Sequence, residues 1–160
     1  MEGNEFNKLK WNLFSVRSLI ILSAIGLIIF NFNTEVKGGD WRFLGKTNEF
    51  NFYYYVESIT HTSKDIIRVQ VKNASINNKG KNLVLRAAKE DRRSTKGYEN
   101  YTHSIMVHEI RCSAKMARII SVADYNDKGM VLASHTNRDP EWSSIDPAGI
   151  GDLLYKEVCR

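Results

Sequence analysis

The sequence predicts an α+β fold, in which an antiparallel β-sheet carries a C-terminal helix and one middle helix. Residues 49–56 and 66–72 have the aromatic and alternating patterns that are typical of strands. Residues 83–93 and 149–158 place apolar side chains at helical spacing. One cysteine ends a predicted strand and the other ends the last helix, so a disulfide would join the sheet to that helix.

The 160 residues divide by composition into a short N-terminal segment, 1–38, and one domain, 39–160. A domain of this size can bury a workable core. Hydrophobic residues make up 42% of the chain and charged residues 26%, values that exclude a disordered protein. The net charge of +5 permits acidic partners but does not require them.

The N-terminal segment has the pattern of an export signal. Residues 19–30, LIILSAIGLIIF, carry no charge and follow Lys8, Lys10 and Arg17. The apolar run is shorter than the roughly 20 residues of a spanning helix, which favours a cleaved signal peptide. No A-x-A site follows Phe30, so an uncleaved inner-membrane anchor stays open as the alternative. Either outcome predicts an exported domain, in the periplasm or at the cell surface.

The chain has two cysteines, Cys112 and Cys159, which are too far apart for CxxC redox chemistry. In an oxidising compartment we expect them to form a disulfide. Closing a loop of this length stabilises a fold by about 4 kcal/mol in the chain-entropy description. Two free buried thiols are the alternative for a chain that is not exported.

Alternation along the first two predicted strands assigns their side chains to faces. In 49–56 it places Phe52 and Tyr54 on one face, and Tyr53 and Tyr55 on the other. One of these faces belongs to the core, and the other lies under the terminal helix or faces a partner. In 66–72 the apolar Ile67, Val69 and Val71 alternate with the polar Arg68, Gln70 and Lys72.

The remaining elements follow from similar patterns. Strands are predicted at 101–112, 115–125 and 130–134, with a hairpin turn at Asn126–Gly129. In the first of them Met106, His108, Ile110 and Cys112 share a face. The middle helix is predicted at 83–93 after a break at 77–80. Its inward residues are Leu83, Val84, Ala87 and Ala88, and its outward residues are Arg86, Lys89, Glu90 and Arg93.

No pattern in the sequence indicates catalysis. The chain lacks P-loop, GxSxG and GxGxxG motifs, and its four histidines lack metal-ligand spacing. We therefore predict no catalytic residue, no metal site, no cofactor and no enzyme. Aromatic residues are sparse beside the basic helix, so nucleic acid is not an expected partner. The candidate binding surface consists of Tyr53, Tyr55, Arg86, Lys89, Arg92 and Arg93.

An ordered set of short segments resembles the surface-adhesin protein E family over residues 41–160. The set is Trp41, YYYVESI at 53–59, IIRVQVK at 66–72, HEIRC at 108–112, YNDKG at 125–129, Trp142 and DPAGIGDLLYKEVC at 146–159. The resemblance implies a sheet with helices packed on it, the same disulfide, and an adhesin-type role in binding host matrix or serum proteins or epithelial surfaces. The family often has Asp after the Tyr pair, where this chain has Tyr55, and no ligand site carries over.

The sequence thus predicts a non-enzymatic envelope protein that acts by protein–protein or surface binding. Its partner would be an unknown protein or an extracellular-matrix-type ligand. The alternative is a periplasmic accessory subunit tethered to the inner membrane by an uncleaved N-terminal segment. An enzyme or solute-binding protein is a third class, favoured by no motif in the sequence.

Overall fold

A computed structural model describes residues 39–160, so the predicted signal or anchor at 1–38 lies outside the described residues. The elements in chain order are β1 (Trp41–Lys46), β2 (Phe50–His61), β3 (Ile66–Ser75), α1 (Asn78–Glu90), a 3-10 turn (Tyr98–Asn100), β4 (Tyr101–Arg111), β5 (Met116–Asn126), β6 (Val131–Thr136), β7 (Ser143–Ser144) and α2 (Ile150–Val158). The predicted α+β class, with a middle and a C-terminal helix, is confirmed.

The strands form a single antiparallel sheet in which β1 to β6 lie side by side in chain order. The short β7 pairs with the first residues of β5. Val71 in the third strand lies opposite Tyr54 in β2 and Met106 in β4. Short connections between neighbouring strands suit this antiparallel order. The strand registers therefore decide which side chains share a face.

Both helices pack on the same face of the sheet, which we call the helix face. Leu154 and Val158 of α2 lie on a core made by Tyr54, Ile67, Val69, Val71 and Ile110. Ala88 of α1 forms a second cluster with Tyr98 and Tyr101. This second cluster surrounds Asp124, which pairs with Ser104 on the same side of the sheet as Met106.

The predicted disulfide is present and joins Cys112, just after β4, to Cys159, just after α2. The two Cα atoms are 5.6 Å apart. Next to it the Tyr155 hydroxyl donates to the Cys112 carbonyl oxygen at 3.2 Å. The C-terminal helix is therefore attached to the sheet covalently as well as by its apolar side.

The middle helix begins earlier than the sequence predicts. Asn77 is its N-cap, and the Asn77 side-chain oxygen accepts a hydrogen bond from the Gly80 amide at 3.0 Å. Gly80 is buried where a Cβ atom would lie 2.6 Å from the Glu49 carbonyl oxygen. Asn77 and Gly80, which suggested a break in the sequence, instead cap the helix and allow its first turn to pack closely against the backbone of Glu49. The inward prediction is confirmed for Val84 and Ala88 and wrong for Leu83 and Ala87, which are exposed.

Arg93 was also predicted to point outward, and this was wrong. It lies past the end of α1, and its guanidinium donates to the Asp124 carboxylate at 3.0 Å. Asp124 is 1% exposed and accepts two further bonds, from the Tyr98 hydroxyl at 2.6 Å and the Ser104 hydroxyl at 2.5 Å. Burial and the bond to Asp124 raise the pKa of Tyr98. This network ties the segment after α1 to the sheet.

Candidate functional site

The second face of the sheet, which we call the open face, carries no helix of residues 39–160. Strand alternation places these side chains there: Trp41, Phe43, Tyr53, Tyr55, Arg68, Gln70, Lys72, His103, Ile105, Val107, Glu109, Arg118 and Tyr125. Most of them are half-buried by their neighbours in the sheet and still reach solvent. An exposed face of this composition is typical of interaction surfaces.

Aromatic rings and one lysine form the first part of the open face, across β1 to β3. Trp41 stacks on Tyr55 with ring centroids 5.2 Å apart, and Phe43 meets the edge of Tyr53 at 5.6 Å. The Lys72 ammonium lies 4.5 Å from the Trp41 ring centroid and 5.1 Å from that of Tyr53. Burial among these rings lowers the pKa of Lys72. Phe43 is nevertheless 57% exposed, so apolar area remains free for a partner.

Arginine residues and Trp142 form the second part, at the opposite end of the central strands. Glu109 is buried between Arg68 and Arg118, with a closest nitrogen–oxygen distance of 2.6 Å to each. Burial would raise the pKa of Glu109, but the hydrogen bonds from the two guanidinium groups outweigh it and hold the pKa below its usual range. The guanidinium carbons of Arg111 and Arg118 lie 4.3 and 4.4 Å from the Trp142 ring centroid. This end is therefore cationic and aromatic.

An uncharged strip on β4 and β5 lies beside the first part, with Ile105 directly opposite Lys72. His103 stacks on Tyr125 with centroids 5.0 Å apart, and Ile105 and Val107 continue along the same strand. Burial, followed by the charge of Lys72, lowers the pKa of His103, which favours the neutral form of its ring. The open face thus carries Lys72 and the arginines apart from each other, with the uncharged pair of Gln70 and Val107 between them.

The structure divides the predicted binding residues between two sides of the sheet. Tyr53 and Tyr55 lie on the open face, opposite to Tyr54, whose hydroxyl donates to Glu157 of α2 at 3.1 Å. The terminal helix therefore covers Tyr54 and leaves Tyr53 free. The exposed Arg86, Lys89 and Arg92 belong to α1 or follow it directly, on the helix-bearing side, and Arg93 is engaged with Asp124. The six residues do not form one surface, and their binding roles stay predictions.

Sequence reasoning missed several members of the open face. Phe43 belongs to β1, and this strand was not predicted. A register shift between Phe43 and Gly45 interrupts the alternation of inward and outward side chains along β1. Arg111, Arg118 and Trp142 come together only through the tertiary fold. For Lys72, the alternation of apolar and polar residues in 66–72 correctly predicted the polar face of the strand. No other feature of the sequence pointed to its position among the aromatic rings.

Within residues 39–160 no group of three or more His, Cys, Asp or Glu side chains is arranged to hold a metal ion. In the same part of the chain, no helix has both the length and the apolar character needed to cross a membrane.

A family model of surface-adhesin protein E matches residues 41–160. The chain belongs to the surface-adhesin protein E family. This confirms the resemblance found in the sequence and identifies an adhesin-like surface protein. No curated protein and no solved structure matches this surface-adhesin protein E family member significantly.

Proposed function

We propose that this family member is a non-enzymatic exported protein that binds another protein through the open face. The observation that carries the proposal is the cluster of Phe43, Tyr53 and Lys72, an exposed aromatic surface with a cation held among its rings. Aromatic residues and arginine are enriched at the centres of protein interfaces. Rigid rings already packed in pairs lose little side-chain entropy when a partner binds.

The charges of the open face indicate the chemistry of the partner. The open face carries four cations, Arg68, Lys72, Arg111 and Arg118. Its acidic residues are Glu57, which accepts a hydrogen bond from the Tyr55 hydroxyl, and Glu109, whose carboxylate is already neutralised by two arginines. A protein surface with acidic residues on either side of an apolar patch would complement this pattern. Proteins of the extracellular matrix are the ligand class that we propose first, since the family is adhesin-like.

The test is a binding assay with two matched double variants. Full-length protein in mild detergent is passed over immobilised fibronectin, laminin and collagen. We expect Phe43→Ser/Tyr53→Ser, on the open face, to weaken binding at least about ten-fold. Arg86→Ala/Lys89→Ala, on α1, should leave it unchanged. Raising the salt concentration should weaken wild-type binding, because the face is cationic.

Two results would contradict this assignment. If the α1 variant loses binding and the open-face variant keeps it, the basic helix is the site. If the wild type binds none of the immobilised proteins, the matrix-type ligand is wrong. Thermal unfolding of each variant serves as the folding control.

A second candidate, a periplasmic accessory subunit tethered to the inner membrane, is favoured by one feature of the sequence. No A-x-A site follows the apolar residues 19–30. The intact mass of protein isolated from its native envelope under non-reducing conditions decides between the two. Loss of the first 30 or so residues supports a released domain, and a full-length mass supports the tethered subunit.

A further inference from the structure

Arg111, in the second part of the open face, is half-buried and has no carboxylate partner among residues 39–160. Every other arginine in the described part of the chain is either exposed to solvent or paired with a carboxylate. The Arg111 guanidinium lies instead over the Trp142 ring, with 4.3 Å between its central carbon and the ring centroid. Removing a cation from water without a counter-charge costs free energy, so this arrangement needs a physical reason.

The neighbouring glutamate has no acceptor sites left for Arg111. Arg68 donates from Nε and Nη2 to Oε1 of Glu109, and Arg118 donates from Nε and Nη2 to Oε2. A carboxylate has about four acceptor sites, and these hydrogen bonds occupy them. The guanidinium of Arg111 is therefore surplus to the ion pairs that hold the sheet together.

The chemistry of the Arg111 side chain indicates which group it would bind. A guanidinium carries five N–H donors in a planar fork that matches the two oxygens of a carboxylate. Contact with Trp142 restricts the Arg111 side chain before any partner arrives, which lowers the entropy lost on binding. Arginine and tryptophan are also enriched among the few residues that supply most of the binding energy of protein interfaces.

The small net charge around Arg111 favours a single carboxylate over a polyanion. Asp65, just before β3, accepts hydrogen bonds from the Ser113 amide and hydroxyl. These bonds, and to a smaller degree the charge of Arg111, lower the pKa of Asp65. The three guanidinium groups and the carboxylates of Glu109 and Asp65 leave a net charge of +1. A sulfated glycan would place several negative charges against this surface, and like charges across an interface weaken binding.

We infer that Arg111, positioned by Trp142, binds the carboxylate of an aspartate or glutamate side chain on the partner protein. The inference deepens the proposed function and rests on it, because the same partner contacts the first part of the open face. Lys72 lies opposite Ile105, and Arg111 follows Ile105 by six positions on β4. At about 3.3 Å per residue, Lys72 and Arg111 are roughly 20 Å apart along the sheet. An interface of ordinary size, about 800 Å² on each partner, spans that distance.

Two substitutions separate the charge of Arg111 from its fork geometry. Arg111→Gln removes both, whereas Arg111→Lys keeps the charge and loses the two parallel donors. Full-length protein in mild detergent is passed over immobilised fibronectin, laminin and collagen. We expect Arg111→Gln to weaken binding at least about ten-fold and Arg111→Lys to weaken it by a smaller factor. Arg86→Gln, on α1, is the matched control and should change nothing, and thermal unfolding of each variant is the folding control.

Chemical modification of the immobilised protein tests the carboxylate itself. Carbodiimide and glycinamide convert exposed carboxylates to neutral amides, and the reaction is stopped while binding can still be measured. We expect the dissociation constants of the wild type and Arg111→Gln to converge on the amidated protein. An undiminished difference between them would overturn the inference, because Arg111 would then contact another kind of group.

Failure of this inference is distinguishable from failure of the proposed function. If Phe43→Ser/Tyr53→Ser loses binding while both Arg111 variants keep it, the open face is the site and Arg111 has no part in it. If the wild type binds none of the three proteins, both the inference and the matrix-type ligand are wrong. If soluble heparin binds the wild type more tightly than these proteins do, and Arg111→Gln abolishes that binding, the occupant is a sulfated glycan and the inference is overturned.

Discussion

Each face of the sheet contains one buried carboxylate, and the two carboxylates are stabilised in different ways. On the helix face, Asp124 is covered by the segment that follows α1 and accepts bonds from two hydroxyl groups and one arginine. On the open face, Glu109 is held by Arg68 and Arg118 from the neighbouring strands. The first arrangement needs packed helices and loops, and the second needs the sheet alone. A carboxylate can therefore be buried on a face that no helix covers, provided that adjacent strands supply the cations.

The two faces also differ in how deeply their apolar side chains are buried. Val69 and Ile110 on the helix face are fully buried, whereas Phe43 on the open face is largely exposed. Buried apolar area supplies most of the free energy of folding. We therefore expect substitutions on the helix face to change stability, and substitutions on the open face to change partner binding.

The largest expected effect is the loss of the disulfide on the helix face. Cys112→Ser/Cys159→Ser should reduce the free energy of unfolding by about 4 kcal/mol, because the closed loop restricts the unfolded chain. The melting temperature should fall on the order of 10 °C or more. Reduction of the wild type should reproduce this fall, and the reductant should not affect the variant. An unchanged melting temperature would show that α2 is held by packing alone.

The second-largest effect is expected from removing the buried carboxylate of Asp124 on the helix face. Asp124→Ala should cost about 3 kcal/mol, since it leaves the Tyr98 and Ser104 hydroxyls and the Arg93 guanidinium without their acceptor. Urea unfolding measures the change. Asp127→Ala, in the exposed turn that follows β5, is the matched control and should stay within about 0.5 kcal/mol of the wild type. Equal effects of the two substitutions would disprove the network's role.

A smaller effect should depend on pH. Hydrogen bonds from Lys115 and Lys156 lower the pKa of Asp152, at the beginning of α2, to about 2. Because this folded-state pKa lies below the unfolded value, the carboxylate stabilises the fold above about pH 4 and loses that contribution as the pH falls toward 2. Asp152→Asn should therefore melt a few degrees lower at pH 6. The difference in melting temperature between the wild type and the variant should disappear between about pH 4 and pH 2, measured by thermal unfolding of both proteins at each pH. A difference that does not depend on pH would contradict the ion pairing.

The smallest effect on stability is expected from the open face. Phe43→Ser removes one exposed ring and its contact with Tyr53, so the free energy of unfolding should change by less than about 1 kcal/mol. Lys72→Ala should behave similarly. A loss of several kcal/mol in urea unfolding would mean that this face is part of the structural core, and the division between the two faces would fail.

Local patterns in the sequence were sufficient for the strands β2 to β6 and for the two faces of β2 and β3, but not for β1 or β7. The alternation in 53–55 and 66–72 depends on neighbouring residues alone, because successive side chains of a strand point to opposite sides. It correctly separated Tyr54 from Tyr53 and Tyr55. The two cysteines were also paired correctly, since an exported domain with two cysteines has one possible disulfide within the chain.

Only the tertiary structure decided which aromatic face the terminal helix covers. Both faces of β2 carry tyrosines, so alternation could not distinguish them, and the choice came from the packing of Leu154 and Val158 against Val69 and its neighbours. The pairing of Arg93 with Asp124 and the contact of Arg111 with Trp142 also arise from segments distant in sequence. Periodicity is set by local backbone geometry, whereas contacts between distant segments depend on how whole elements pack, and no short pattern encodes that.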